Sequence, residues 1–273
     1  MKLFLAGLRK LVRRPVTFVT LGLLIGLLAL ILLAVGATAG RPEAGPEGQA
    51  ALLLVTFPAA YSIIVSFILG LGGLFAVIYG AAIAGSEWSW GTLKAAIARG
   101  ESRSRYQLLS FGAIAVMVGL GLIVAFAAGV LVAVIAANLA GVSTAGLGDS
   151  TALGQLPELL ARGWFAMIEQ GALGFAIATL ARSQLAGIGV GIGVYFGEGF
   201  ASIFLPDIVK YLPFDAAGAV VATPGGNGGF GGGGGGPAVA ALEPNTALLI
   251  VAAWLIAALV VTALFTERAE ISG

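Results

Sequence analysis

Six long apolar runs constrain what this chain can fold into more than any other feature. They cover residues 16–37, a stretch within 52–84, about 108–137, 163–181, 185–205 and 247–266. A helix needs about 20 mostly apolar residues to cross a hydrocarbon core of about 30 Å. Lipid offers no hydrogen-bond partner to the backbone, and the runs lack the alternation of barrel strands. The sequence therefore predicts an all-α polytopic membrane protein with six transmembrane helices.

Composition supports the same class and excludes several kinds of chemistry. Only 10% of the residues are charged and 59% are hydrophobic, whereas soluble domains carry about 25% charged residues. The chain holds no cysteine and no histidine, which excludes disulfides, Cys/His zinc sites and histidine bases. No nucleophile–base pair or ligand cluster is visible. We therefore expect this chain to contribute no catalytic, cofactor-binding or metal-binding residue, and we expect no nucleic-acid partner.

The distribution of lysine and arginine predicts the orientation. With the N-terminus in the cytoplasm, eleven basic residues fall on the inner side and three on the outer side. This distribution follows the rule that cytoplasmic loops carry an excess of lysine and arginine. The inner residues are Lys2, Arg9, Lys10, Arg13, Arg14, Lys94, Arg99, Arg103, Arg105, Arg182 and Arg268. The outer ones are Arg41, Arg162 and Lys210. Both termini are therefore predicted to be cytoplasmic. The run 16–37 is too long for a signal peptide's apolar core, so we expect it to be retained as a span.

Residues 1–15 precede the first run and have a different pattern. Phe4, Leu5, Leu8, Leu11 and Val12 recur at helical spacing, with basic residues elsewhere. This predicts an amphipathic helix in the inner interface, ended by a proline at position 15. A basic segment that only sets topology is the alternative. The six-span domain then covers 16–273.

The inner loop 85–106 is the most informative segment for function. Ser86 and Glu87 suit the start of a short helix, whose face would hold Trp90, Leu93 and Ile97. A left-handed glycine at position 100 would end this helix, and Ser102 would cap the third span. The segment is either a docking site for a partner or a basic loop lying on lipid headgroups.

This loop resembles the corresponding loop of type-2 ABC-transporter permeases, the membrane subunits of many bacterial exporters. That family has an acidic residue, then Gly-Thr-Leu, a short helix and a Ser-Arg pair. Glu87, Gly91-Thr92-Leu93 and Ser102-Arg103 match these elements in order. The segment 180–189, Leu-Ala-Arg-Ser-Gln-Leu-Ala-Gly-Ile-Gly, resembles the family's tight turn between the fourth and fifth spans.

The resemblance implies a permease that works with a separate ATP-binding subunit and with a second permease copy or homologue. ATP and Mg would lie on the partner, loop 85–106 would dock there, and the N-terminal helix would be a connecting helix. The chain would lie in a bacterial plasma membrane. None of its four lysines lies in a Walker A sequence, so it is not expected to hydrolyse ATP.

Span five contains glycines at four-residue spacing, Gly189, Gly193 and Gly197, which allow close helix approach. They indicate either packing within the chain or a dimer interface lining a shared pathway. Two carboxylates also fall within spans, Glu169 and Glu198. Charge at this depth is costly, so such residues usually face protein or water. A structural role and a transport role both remain open, and we expect Glu198 to face protein.

The outer segment 206–246 contains a tract, 225–237, that is nearly pure glycine. We expect this tract to form a mobile loop, and residues 207–222 to dip into the outer leaflet and return. The leading functional hypothesis is an exporter permease. An ion-coupled secondary transporter using Glu169 or Glu198 and a non-transporting scaffold subunit are the alternatives. The sequence does not identify the transported substrate.

Overall fold

The computed structural model describes residues 2–41, 45–221 and 242–269 as helices and the turns that join them. In chain order the helices are α1 (Lys2–Val12), α2 (Pro15–Thr38), α3 (Gly45–Leu52), α4 (Ala59–Ser89), α5 (Thr92–Ala98), α6 (Arg103–Leu139), α7 (Ser150–Ala181), α8 (Gln184–Ala201), α9 (Pro206–Val209), α10 (Pro213–Ala219) and α11 (Pro244–Arg268). A 3₁₀ turn, Ala145–Gly148, precedes α7. The glycine tract 225–237 lies outside the described residues.

Among the described residues, five helices are long and apolar enough to cross a membrane: α2, α4, α6, α7 and α11. The described part of the chain is therefore all-helical, with the character of a multi-pass membrane protein. The predicted fifth span, 185–205, corresponds to α8, which has 18 residues. At about 1.5 Å per residue, α8 is about 27 Å long, slightly less than the thickness of a typical hydrocarbon core.

The break between α1 and α2 lies where the sequence predicted it, at the proline at position 15. α1 ends at Val12, Arg14 is extended with φ −85° and ψ 131°, and Pro15 is the first residue of α2. The residue before a proline disfavours the helical region, so the break between α1 and α2 falls where the proline requires it. α1 packs against α6 and buries Leu11, which is 2% exposed.

α7 begins earlier than the sequence indicated. We expected a span over 163–181, but the helix starts at Ser150 and has 32 residues. Asp149 caps it, because its side chain accepts a hydrogen bond from the N–H of Ala152 at 2.8 Å. Pro157 lies inside the helix. The first half of α7 is helical but too polar to form an apolar run. Hydropathy alone therefore does not detect this part of the helix.

α4 lies at the centre of the bundle and packs against α2, α6, α7 and α8. In the most apolar stretch of α4, 67% of the residues are buried, whereas in the corresponding stretches of α2 and α11 only 17% are buried. Glycines allow α4 and α7 to touch by their backbones. A Cβ at Gly80 would lie 2.1 Å from the carbonyl oxygen of Gly171, and one at Gly174 would lie 2.1 Å from that of Val77. A larger residue at Gly80 or Gly174 would force these two helices apart.

The segment after α8 folds back into the bundle as α9 and α10. α10 packs against α4, α7, α8 and α11, and Phe214, Ala216 and Ala217 on it are buried. Residues 207–222 were predicted to dip into the outer leaflet and return. The described residues 207–221 do fold back against the bundle, and their position in a leaflet stays a prediction.

Candidate functional site: the Glu87 cluster

A buried carboxylate joins four helices at one end of the bundle. Glu87, in the last turn of α4, is 1% exposed and accepts three hydrogen bonds. Its partners are Lys10 Nζ on α1 at 2.5 Å, Tyr106 Oη on α6 at 2.6 Å, and the hydroxyl of Thr92 on α5. We call these four residues the Glu87 cluster. A buried carboxylate is tolerated only when it is paired and hydrogen-bonded, and here each bond also connects a different helix to α4.

Arg14 adds a second contact between the start of α2 and the end of α4. Its Nη1 donates to Ser86 Oγ at 2.7 Å, and its Nη2 lies 3.9 Å from Glu87 Oε1. Its guanidinium also lies over the ring of Trp90, 5.0 Å from the centroid. The turn between α1 and α2 is thereby held against the end of α4.

The predicted start of the short helix was wrong. Ser86 and Glu87 were expected to begin it, but both lie within α4, which continues to Ser89. The short helix α5 begins at Thr92, after Gly91 with φ 66°. The chain reverses at the position where glycine adopts a left-handed conformation without strain, and the earlier residues simply extend α4.

The predicted apolar face of α5 was also partly wrong. Leu93 is 1% exposed and Ala96 is fully buried, while Ile97 is half-buried at the edge of this face. Trp90 precedes α5 and is 67% exposed, so it does not belong to the buried face. Gly100, with φ 87°, is left-handed after the helix as expected.

The start of α6 is capped by a distant residue. Ser102 is the N-cap residue, as predicted, but its side chain makes no capping bond. Instead the N–H of Ser104 donates to Glu267 Oε1, on α11, at 3.1 Å. In return Arg103 Nη1 donates to the carbonyl oxygen of Ala269 at 2.7 Å. The start of α6 and the end of α11 therefore satisfy each other's free backbone groups. A charge pattern within either helix does not reveal such a pairing.

The turn between α7 and α8 lies at the same end of the bundle. It is as tight as the segment 180–189 indicated: α7 ends at Ala181 and α8 begins at Gln184. Arg182 has φ 50°, and its guanidinium lies over the rings of Trp88 (5.3 Å) and Phe265 (5.4 Å). This cation–π contact connects the turn to α4 and α11.

The two carboxylates that were predicted to lie within spans, Glu169 and Glu198, differ in their partners. Glu198 on α8 is 6% exposed and so faces protein. Its Oε2 accepts hydrogen bonds from the N–H groups of Phe214 (2.9 Å) and Asp215 (3.3 Å) at the start of α10. Glu169 on α7 is fully buried, and neither of its oxygens has a hydrogen-bond partner among the described residues. Burial raises the pKa of the Asp215 carboxyl above its usual value.

The predicted glycine stripe does not pack against any other described residue. A Cβ at Gly189, Gly193 or Gly197 would meet no described atom within 4 Å. The close approaches of α8 fall instead on Gly187, where a Cβ would lie 2.4 Å from Ala178 Cβ, and on Gly191, at 2.4 Å from Val77 Cγ1. The other three glycines therefore lie on an open face of α8.

No family model matches the chain, and no curated protein matches it. The functional assignment therefore rests on the residues of this chain and their geometry.

Proposed function

We propose that this chain is the permease subunit of an ATP-driven ABC transporter, an exporter, energised by a separate ATP-binding subunit that holds ATP and Mg. The Glu87 cluster carries the proposal, because it connects the short surface helix α5 directly to α1, α4 and α6. A force applied to α5 would reach the interior of the bundle through Thr92 and Glu87. The motif order that resembles type-2 permeases supports the same assignment.

The outward surface of α5 is the proposed docking site. Leu93 and Ala96 hold the helix against the bundle, while Lys94, Ala95 and Ala98 are exposed. Trp90, two residues before α5, has a large exposed ring, and aromatic residues of this kind often anchor protein interfaces. The ATP-binding subunit would contact this surface.

Six crossings, with α8 as the fifth, agree with the ends of the helices. Arg182 after α7 contacts Trp88 at the end of α4, and the end of α11 contacts the start of α6 through Arg103. The ends of α7 and α11 therefore share one side of the bundle. The chain must return to the opposite side before α11 begins at Pro244, and α8 is the helix placed to make that crossing. The proposed membrane is the bacterial plasma membrane, with both termini cytoplasmic and α1 in the interface.

The open glycine face of α8 is the proposed contact with a second permease copy or homologue. Gly189, Gly193 and Gly197 leave a flat strip along α8, and the exposed rings of Phe196 and Phe200 lie on the same helix. Small residues allow helices to approach closely in lipid, where packing drives association.

The docking claim is tested by purifying the tagged chain from its native membrane and identifying a co-purifying subunit with a Walker A sequence. Leu93 is a poor choice for substitution, because an aspartate there would be buried. The exposed residues Trp90 and Ala98 are suitable instead. Trp90→Asp with Ala98→Asp should release the subunit, while Thr151→Asp, exposed at the opposite end, should retain it. Retention of the subunit by the double variant would exclude α5 as the docking site.

The full burial of Glu169 favours one second candidate, an ion-coupled transporter. A carboxyl without a hydrogen-bond partner among the described residues is a candidate to bind a proton or cation in the membrane. Transport in vesicles that collapses with the proton gradient and needs no ATP would favour this candidate over the ABC permease.

A further inference from the structure

Two separate cavities lie between α4 and α6, one after the other along these two helices. The first, of about 430 Å³, lies at the end of the bundle that holds the Glu87 cluster, between α1, α4, α5 and α6. The second, of about 230 Å³, lies deeper in the bundle, between α2, α4 and α6. We call them the polar cavity and the apolar cavity.

The two cavities use the same faces of the same helices. On α4, Ile83 lines the polar cavity and Tyr79 the apolar cavity; on α6, Ala113 lines the first and Met117 the second. Four residues along a helix correspond to a rise of about 6 Å. The cavities are therefore about one helical turn apart on both walls, with α1 over one and α2 over the other.

The polar cavity is suited to an anion. Lys10 on α1 and Arg99, the residue after the end of α5, line it. Its carboxylate is that of Glu87, which is already bonded to three donors. The Arg99 guanidinium makes no hydrogen bond or ion pair with any residue in the described ranges, and the same holds for the hydroxyl of Ser110 on the α6 wall. A guanidinium with its donors available binds phosphate in a bidentate manner.

The apolar cavity is suited to a hydrocarbon chain. Its walls are apolar apart from a few hydroxyls, and the hydroxyls of Thr17 and Tyr79 contact each other at 3.0 Å at the end nearest the polar cavity. Phe18 and Leu120 line it and are 60% and 50% exposed. The cavity therefore opens on the side of the bundle, where lipid would lie.

We propose that the two cavities form one binding site for an anionic phospholipid, with the phosphate in the polar cavity beside Arg99 and an acyl chain in the apolar cavity. Charge and shape agree: a basic pocket at the membrane surface selects anionic headgroups, and the adjacent apolar space takes the chain. The site requires only that the chain lies in a membrane, so it stands whether or not an ATP-binding subunit is the partner. A lipid here would contact α1 and α5 and set the spacing between them.

The first test uses the full-length wild-type chain. It is reconstituted in vesicles of phosphatidylethanolamine and phosphatidylglycerol, extracted in mild detergent, and its retained lipids are counted by native mass spectrometry. One phosphatidylglycerol per chain should be retained in preference to phosphatidylethanolamine. Equal retention of the two lipids would overturn the proposal, and this result needs no variant.

Matched variants locate the site. Arg99→Gln should lower phosphatidylglycerol retention about tenfold, as expected for the loss of a hydrogen bond from a charged group. Arg105→Gln, exposed at the same end but outside the cavity, should retain the lipid. Gly121→Leu fills the apolar cavity and should lower retention, while Gly22→Leu, where a Cβ meets nothing within 4 Å, should not. If both Arg99→Gln and Gly121→Leu retained as much phosphatidylglycerol as the wild-type chain, the proposal would be overturned.

A last arm separates a lipid from free phosphate. Inorganic phosphate is added to the lipid-bound chain, and the retained phosphatidylglycerol is counted again. Phosphate alone should not displace the lipid, because it cannot fill the apolar cavity. Full displacement by phosphate would show a simple anion site and overturn the role of the acyl chain.

Discussion

Lys10 Nζ on α1 lies 2.5 Å from Glu87 Oε1 at the end of α4, and 77 residues separate the two in the chain. This ion pair fixes the N-terminal helix to the central helix. The carboxylate is 1% exposed and the Lys10 side chain 33% exposed. The pair is thus shielded on one side and reaches solvent on the other.

Glu87→Gln should destabilise the chain by about 1–3 kcal/mol, because it removes the charge that Lys10 and Arg14 face in a largely buried place. Thermal unfolding in detergent measures the loss. Combined with Lys10→Met, the double-mutant cycle should show a coupling energy above about 0.5 kcal/mol. Glu158→Gln is the control: Glu158 is exposed and pairs with Arg162 on the surface, so its effect should stay below about 1 kcal/mol. Additive effects of the Lys10 and Glu87 changes would contradict the pairing.

Glu267→Ala should speed amide hydrogen exchange in the first turn of α6, because the N–H of Ser104 loses its acceptor. Ser102→Ala should leave exchange there unchanged, since the Ser102 side chain makes no capping bond. Hydrogen exchange read by mass spectrometry over residues 103–107 distinguishes the two. If Ser102→Ala had the larger effect, the cap would be local and the contact with α11 unimportant.

Gly80→Ala should destabilise the bundle by about 1–3 kcal/mol, because a Cβ would lie 2.1 Å from the carbonyl oxygen of Gly171 and the α4–α7 contact would be overpacked. Gly189→Ala, on the open face of α8, should be neutral or stabilising by up to about 1 kcal/mol through helix propensity. The measurement is the melting temperature of each variant in the same detergent. If Gly80→Ala left the melting temperature unchanged, α4 and α7 would be farther apart than the structure shows.

Gly193→Leu should lower the dimer fraction in the membrane, because the new side chain stands on the strip proposed to meet a second copy. Gly26→Leu on α2 also places its side chain in open space and should leave the fraction unchanged. Crosslinking in native membranes, followed by gel electrophoresis, reports the fraction. Equal crosslinking of both variants and the wild type would place the dimer contact elsewhere.

Single cysteines should report which side each loop occupies, since the chain has none of its own. A membrane-impermeant thiol reagent should label Ala98→Cys from one side, and Thr151→Cys and Asp207→Cys from the other. All three positions are exposed. Labelling of Asp207→Cys together with Ala98→Cys would show that α8 does not cross.

The long apolar helices and the tight turn after α7 follow from the sequence because their signals are local. Hydropathy indicates where α2, α6 and α11 lie, and a proline at position 15 separates α1 from α2. The start of α5 does not follow in the same way. Ser86 and Glu87 can begin a helix or continue one, and only the packing of α4 decides between these possibilities.

The Glu87 cluster shows the same limit. The sequence indicates that Glu87 matters, through its place in the loop 85–106. It does not indicate that Lys10 and Tyr106 are its partners, because both bonds depend on how α1 and α6 pack. Glu267 is a similar case, since its partner at Ser104 is 163 residues away. A sequence read in local windows contains no signal for either contact.

The contact between α6 and α11 has a consequence for biogenesis. At about 5–20 residues per second, the ribosome needs about 10–30 s to travel from Ser104 to Glu267. During that time α6 has been inserted while its cap is still unmade, so its first turn depends on water and lipid headgroups. This end of the bundle is completed only when the last helix arrives, and a truncation before residue 267 would leave a nascent chain whose third long helix is still open to quality-control proteases.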